Sequence, residues 1–203
     1  MVETHTQVET HTQAVVLNQF SISNSFQTDV EDKGKFAEND FINYFHSVLN
    51  KKKNKTLFDV TGQKEYRERD IDFVIDINGE NELPDIETVF ANPSIYKKIE
   101  VKYNGPAYNT RKLAYEMISH SGFGWGAITE CDYIYFVFAR DHKKNPYDIA
   151  ARGWVKLKDW KNYIKSLKRW ERVKSYFNNG EDGIANIMSD LDDMEKKGVI
   201  TYL

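Results

Sequence analysis

Residues 98–104 read KIEVKYN, and their centre, Glu100-Val101-Lys102, sets a carboxylate and an ammonium two positions apart. Side chains alternate faces along a β-strand, so Glu100 and Lys102 point one way while Ile99, Val101 and Tyr103 point the other. An earlier stretch, YRERDIDFVIDIN, alternates strictly: Glu68, Asp70, Asp72, Val74 and Asp76 share one face, and Ile71, Phe73, Ile75 and Ile77 the other. If the two strands are neighbours, Asp72, Glu100 and Lys102 converge. Carboxylates converging with room for water suit Mg²⁺ or Mn²⁺. Such an ion polarises a phosphodiester and lowers the pKa of a bound water. A lysine one strand step away can orient that water or stabilise the charge of the pentavalent state. The plainer alternative is the wet side of an antiparallel sheet with a cross-strand ion pair, an arrangement of small energy.

The elements that must position these groups follow from periodicity. In KFAENDFINYFHSVL, apolar residues fall at Ala37, Phe41, Tyr44, Phe45, Val48 and Leu49, which predicts a helix over 35–49. Glu38 borders that apolar stripe and is placed to point at the acidic cluster. A short strand is expected at Leu57–Val60, then the alternating strand, a loop at GENELPD, and a strand at Tyr96–Tyr103. A further strand is expected at Lys112–Ile118, after Asn104-Gly105-Pro106. SGFGWG reads as a turn into a short helical segment, DYIYFVFA as a buried strand, residues 154–177 as strand into amphipathic helix, and 182–196 as an acidic helix. This order makes the chain α/β (α+β) with a mixed sheet.

Asp72, then Glu100-Val101-Lys102, with Glu38 on a preceding helix, resembles the PD-(D/E)XK nuclease superfamily. The stretch EYRERDIDFVIDI…IEVKYN…KLAYEMIS…GWGAITECDYIYFVF is similar to phage and mobile-element nucleases of that type, over roughly residues 35–140. The resemblance implies a restriction-endonuclease-like αβββαβ core, with Asp72, Glu100 and the Val101 carbonyl around a metal ion. It further implies Lys102 acting on the water, Glu38 as a helix-borne acid, DNA as substrate and a possible homodimer. The literal Pro-Asp pair is Pro84-Asp85. Asp72 is preferred because it lies in an alternating strand, whereas GENELPD has loop chemistry. Asp85 stays as an alternative and Glu116 as an additional candidate ligand, while Asp70 and Asp76 read as support or solvated charges.

Composition agrees with a globular chain: 203 residues, 40% hydrophobic, 29% charged and a net charge of −3. No apolar run is long enough for a membrane span, and no leader pattern opens the chain, so a cytoplasmic protein is expected, and the resemblance implies a bacterial host with phage or mobile-element origin. Cys131 is the single cysteine, which excludes an internal disulfide and a cysteine-rich zinc site. Basic patches that suit phosphate are Lys51, Lys52 and Lys53, then Lys112, and Lys165, Lys168 and Arg169 among interleaved aromatics. The organisation expected is an irregular arm over 1–33, including the VETHTQ duplication, a core over 34–150 and a C-terminal extension over 151–203. The alternative for the whole chain is a nucleic-acid-binding or protein-interaction module on the same fold, without catalysis.

Overall fold

A computed structural model of the chain describes residues 31–119, 122–168 and 185–203. The VETHTQ repeat, its two histidines and Arg169 lie outside them.

Helix α1 covers 31–44 and runs on through a π-helical turn, Phe45–Leu49. Ala37, Phe41 and Phe45, spaced by four, are fully buried, so the helix seats one apolar stripe on the sheet. It stops at Asn50, whose N–H donates back to the Phe45 carbonyl at 2.8 Å and whose side-chain amide clasps the Lys55 backbone at both its N–H and its carbonyl. The chain then enters β1 (Thr56–Asp59), α2 (Lys64–Arg67), β2 (Phe73–Asp76), α3 (Ile86–Ala91) and β3 (Tyr96–Tyr103). Next come α4 (Gly105–Thr110), β4 (Lys112–Ser119), β5 (Gly122–Phe123), α5 (Trp125–Ile128), β6 (Tyr133–Asp141), β7 (Asn145–Lys156) and α6 (Leu157–Ser166). The described C-terminal elements are β8 (Ala185–Asp190), α7 (Leu191–Lys196) and β9 (Ile200–Tyr202).

A six-stranded mixed sheet, in the order β1-β2-β3-β6-β7-β9, forms the centre. Within it only β3 and β6 are parallel, with Glu100 beside Ile134 and Lys102 beside Phe136. A parallel pair needs a crossover, and α4, β4, β5 and α5 supply it. The apolar run of β6 is buried on both faces. Tyr135 and Val137 pack under α1, while Ile134, Phe136 and Phe138 join the core built around Trp160 of α6. A second sheet, β5-β4-β8, stands apart from the first and is tied to α6 by the Trp160 Nε1–H, which donates to the Ser189 hydroxyl at 2.8 Å. Among the described residues no helix is long and apolar enough to cross a membrane.

Several expectations change. The alternating stretch 66–78 is strand only at Phe73–Asp76; its first part folds as α2 and a turn through Asp70, which has a φ of 53°. That turn breaks the alternation, so Ile71 packs in the Trp160 core while Phe73 packs under α1. The polar face of β2 and β3 is not wet: Asp76, Lys98 and Glu100 are buried. GENELPD leads into α3, Gly105-Pro106 opens α4, and the described part of the expected acidic helix, 185–196, is strand β8 followed by α7. Residue 150 lies inside β7, which pairs with both β6 and β9, so the expected C-terminal extension begins within a strand of the central sheet.

Packing within the crossover, of α5 on β4, is close at Gly126. A Cβ on Gly126 would sit 2.6 Å from the Glu116 carbonyl oxygen and 2.7 Å from the Tyr115 ring. Backbone cannot yield as a side chain can, so Gly126→Ala should destabilise the protein by about 1–3 kcal/mol, read as a lowered urea midpoint. An unchanged midpoint would mean that α5 does not press on β4 in this way.

Candidate active site

The site forms where β2 parts from β3. The last ladder pair is Phe73 with Ile99, and the Asp72 N–H still donates to the Ile99 carbonyl at 2.9 Å. Beyond that, the turn at Asp70 pulls the chain away, and the Ile71 N–H bonds to the Tyr66 carbonyl in α2. The Val101 N–H would then face no strand acceptor. Asp72 Oδ2 takes it, at 2.8 Å. One residue past the last pair, Asp72 and Glu100 therefore stand beside each other at the edge of the gap.

Lys102 reaches into the same gap. Its ammonium contacts Glu100 Oε1 and lies 3.1 Å from Asp70 Oδ1. Its Nζ also stands over the Trp125 ring, 5.4 Å from the centroid, so α5 walls the site on one side. Burial opposes the charge, but the Glu100 and Asp70 carboxylates outweigh it and raise the Lys102 pKa above its ordinary value. Lys102 is thus an ammonium at any working pH, a donor and a counter-charge, and not a base.

Glu100 is 2% exposed, and its Oε2 is buried with no hydrogen-bond partner among the described residues. Burial raises its pKa well above the usual carboxylate range; Lys102 opposes this and Asp72 adds to it. Burial likewise raises Asp72, to about 6, against the Val101 hydrogen bond and Lys102, with Glu38 and Asp70 pushing the same way as burial. Glu38 comes from α1 on the other side of the gap. Its pKa is raised by burial and by Asp59, with Lys35 and Lys102 opposing.

These groups line a single open cleft of about 440 Å³, whose walls include Lys33, Glu38, Asp70, Asp72, Glu100, Val101, Lys102 and Tyr103. Four carboxylates against two ammoniums leave a formal surplus of two negative charges in it. A divalent cation would balance that surplus. Among the described residues, however, no three His, Cys, Asp or Glu side chains stand as a ready-made metal cage. The donor set still fits a hard cation of the Mg²⁺ kind, which takes one or two carboxylates and completes its shell with water and phosphate oxygens. The unpartnered Glu100 Oε2 is the atom that needs such a partner.

The sequence-predicted residues divide clearly. Glu38, Asp72, Glu100, Val101 and Lys102 meet at the cleft. Asp85 does not: it caps α3, accepting the Thr88 N–H at 2.8 Å, and these bonds lower its pKa. Glu116 lies on β4 opposite Asn186, packed beneath Gly124, and is not part of the cleft wall. Lys51, Lys52 and Lys53 are exposed in the turn after α1, about 18 Å along the helix from Glu38. Lys112 is paired with Asp190 at 2.5 Å, while Lys165 and Lys168 are exposed at and beyond the end of α6. Sequence reasoning undervalued Asp70 and missed Lys33 and Trp125. The Gly-Trp turn was the signal for Trp125; Asp70 gave only its place two residues before Asp72.

No protein-family model, curated protein or solved structure matches the chain.

Asp72 binds its proton more tightly in the fold than in the unfolded chain. Its contribution to stability is therefore full below the unfolded value, near 4, and is lost as pH rises through about 6. Without metal, Asp72→Asn should be more stable than the wild type at pH 8 by about 1–3 kcal/mol, with the advantage gone near pH 4. Thermal melts at the two pH values check this. A variant no more stable than wild type at pH 8 would mean the acidic cluster carries no electrostatic strain.

Proposed function

We propose that the chain is a divalent-metal-dependent deoxyribonuclease of the PD-(D/E)XK type, hydrolysing phosphodiester bonds of duplex or branched DNA in phage or mobile-element DNA metabolism. The observation that carries this reading is the meeting of Glu38, Asp72, Glu100 and Lys102 at one cleft from three separate elements. The order α1, three antiparallel strands, crossover helices and the parallel strand β6 supports the same reading, since an αβββαβ core would run in that order.

Asp72 and Glu100, assisted by the Val101 carbonyl, would hold Mg²⁺ or Mn²⁺, which would polarise the phosphodiester and make bound water a nucleophile at neutral pH. The protein's own groups do the rest. Lys102, kept charged by Glu100 and Asp70, donates toward the oxygens on which negative charge builds. Asp70 holds that ammonium in place. Glu38, across the gap, accepts a hydrogen bond from water in the cleft, and Lys33 offers positive charge to a phosphate there.

A non-catalytic nucleic-acid-binding module is the second reading, favoured by the lack of a ready-made three-ligand cage among the described residues. It predicts DNA binding with no cleavage of any substrate.

A panel of linear duplex, circular, single-stranded and four-way-junction DNA, plus RNA, with and without Mg²⁺ or Mn²⁺, separates the two. Metal-dependent cleavage of a DNA substrate is expected, abolished in Asp72→Asn and Glu100→Gln and slowed by about 10²–10³-fold in Lys102→Ala. Undiminished cleavage in all three variants would sink the assignment.

A further inference from the structure

Helix α1 has no covalent tie to the gap it must reach across. Its apolar stripe, Ala37, Phe41 and Phe45, is fully buried against the sheet, but apolar contact is non-directional and sets the roll of the helix about its axis less sharply than hydrogen bonds do. Measured from Phe41 at the middle of the stripe, Glu38 lies about 60° to one side and Asp40 about 100° to the other. The two acids flank the stripe. Glu38 looks toward β2 and β3, and Asp40 toward β6 and β7.

Asp40 is held there by three hydrogen bonds. Arg152 on β7 donates from Nε to Oδ2 at 2.8 Å and from Nη2 to Oδ1 at 2.6 Å, and the Tyr135 hydroxyl on β6 donates to Oδ2 at 2.9 Å. The Asp40 side chain is 10% exposed. A bidentate guanidinium–carboxylate pair fixes direction as well as distance, which is what the apolar stripe lacks. With Asp40 pinned on one flank, any roll of α1 that would lift Glu38 out of the cleft must break this fork.

We infer that Asp40, clamped by Arg152 and Tyr135, is a positioning residue that sets the roll of α1 and so keeps Glu38 at the cleft. This role rests on the nuclease reading of the cleft. It makes the far flank of the helix part of the site's geometry, although Asp40 touches no reacting group.

A double-mutant cycle between Asp40→Asn and Glu38→Gln tests it, with cleavage kinetics in Mn²⁺ and calorimetric Mn²⁺ titration on each protein. Asp40→Asn should lower kcat roughly tenfold with KM for DNA unchanged, and should lower it no further in a Glu38→Gln background. Additive losses, a loss confined to KM, or no loss would overturn the role. If Asp40→Asn fails to fold, Tyr135→Phe, which removes one of the three bonds, carries the same cycle, with a smaller loss expected that again vanishes in the Glu38→Gln background. A wild-type protein that neither cleaves nor binds Mn²⁺ would instead remove the nuclease reading, and the role with it. Cleaving wild type with an additive cycle removes the role alone.

Discussion

One hydrogen bond organises the candidate site: the Val101 N–H to the Asp72 carboxylate. Where two strands part, each leaves backbone groups without partners, and a buried N–H left so costs free energy. At the fork between β2 and β3 a side chain supplies the missing acceptor. The strands can therefore splay without leaving that donor orphaned, and the carboxylate that closes the ladder is delivered to the mouth of the gap. Asp70, in a left-handed conformation just before it, makes the turn that opens the fork. The departure of the chain and the placement of the acid are one event.

Electrostatics give the gap its second character. A carboxylate as buried as Glu100 is stable only if paired, and its single pairing, with Lys102, is shared with Asp70. The remaining oxygen has no partner among the described residues. A structure that kept this cluster for stability alone would fill it with apolar groups instead, since buried ion pairs are weak stabilisers. The frame around it is correspondingly firm. α1 is seated by Phe41 against Phe73 and Tyr135, with ring centroids 5.0 and 5.2 Å apart, and α5 is packed through Trp125 on Tyr115 and Trp160. Groups that repel one another stay together because rigid apolar packing on both sides of the sheet holds them there.

What the sequence disclosed follows the strength of each local signal. The spacing of Ala37, Phe41 and Phe45, and the unbroken apolar run of β6, are periodicities with a single reading, and both elements lie where expected. Glu38, Asp72, Glu100 and Lys102 were legible because strand alternation and helix margins fix side-chain direction. Alternation misled at Ile71, because one residue of positive φ resets the phase, and an Asp, though it tolerates that conformation better than most residues, is only a weak sign of it. Exposure is decided by packing: a sheet covered on both faces buries its polar positions too, so the wet-face alternative does not hold at Asp76, Lys98 and Glu100. The second sheet was invisible, since β4 and β8 are paired across some seventy residues of chain and neither carries a turn signal pointing to the other.

The claim on which all of this turns is that the carboxylates at the fork bind a divalent cation. Crystals soaked in Mn²⁺ and measured at the manganese edge test it most directly. An anomalous peak within coordination distance of both Asp72 and Glu100 is the predicted result, with Lys102 displaced from Glu100 or sharing it. A map with no peak at the cleft, and Glu100 still closed on Lys102 at saturating Mn²⁺, would contradict the account.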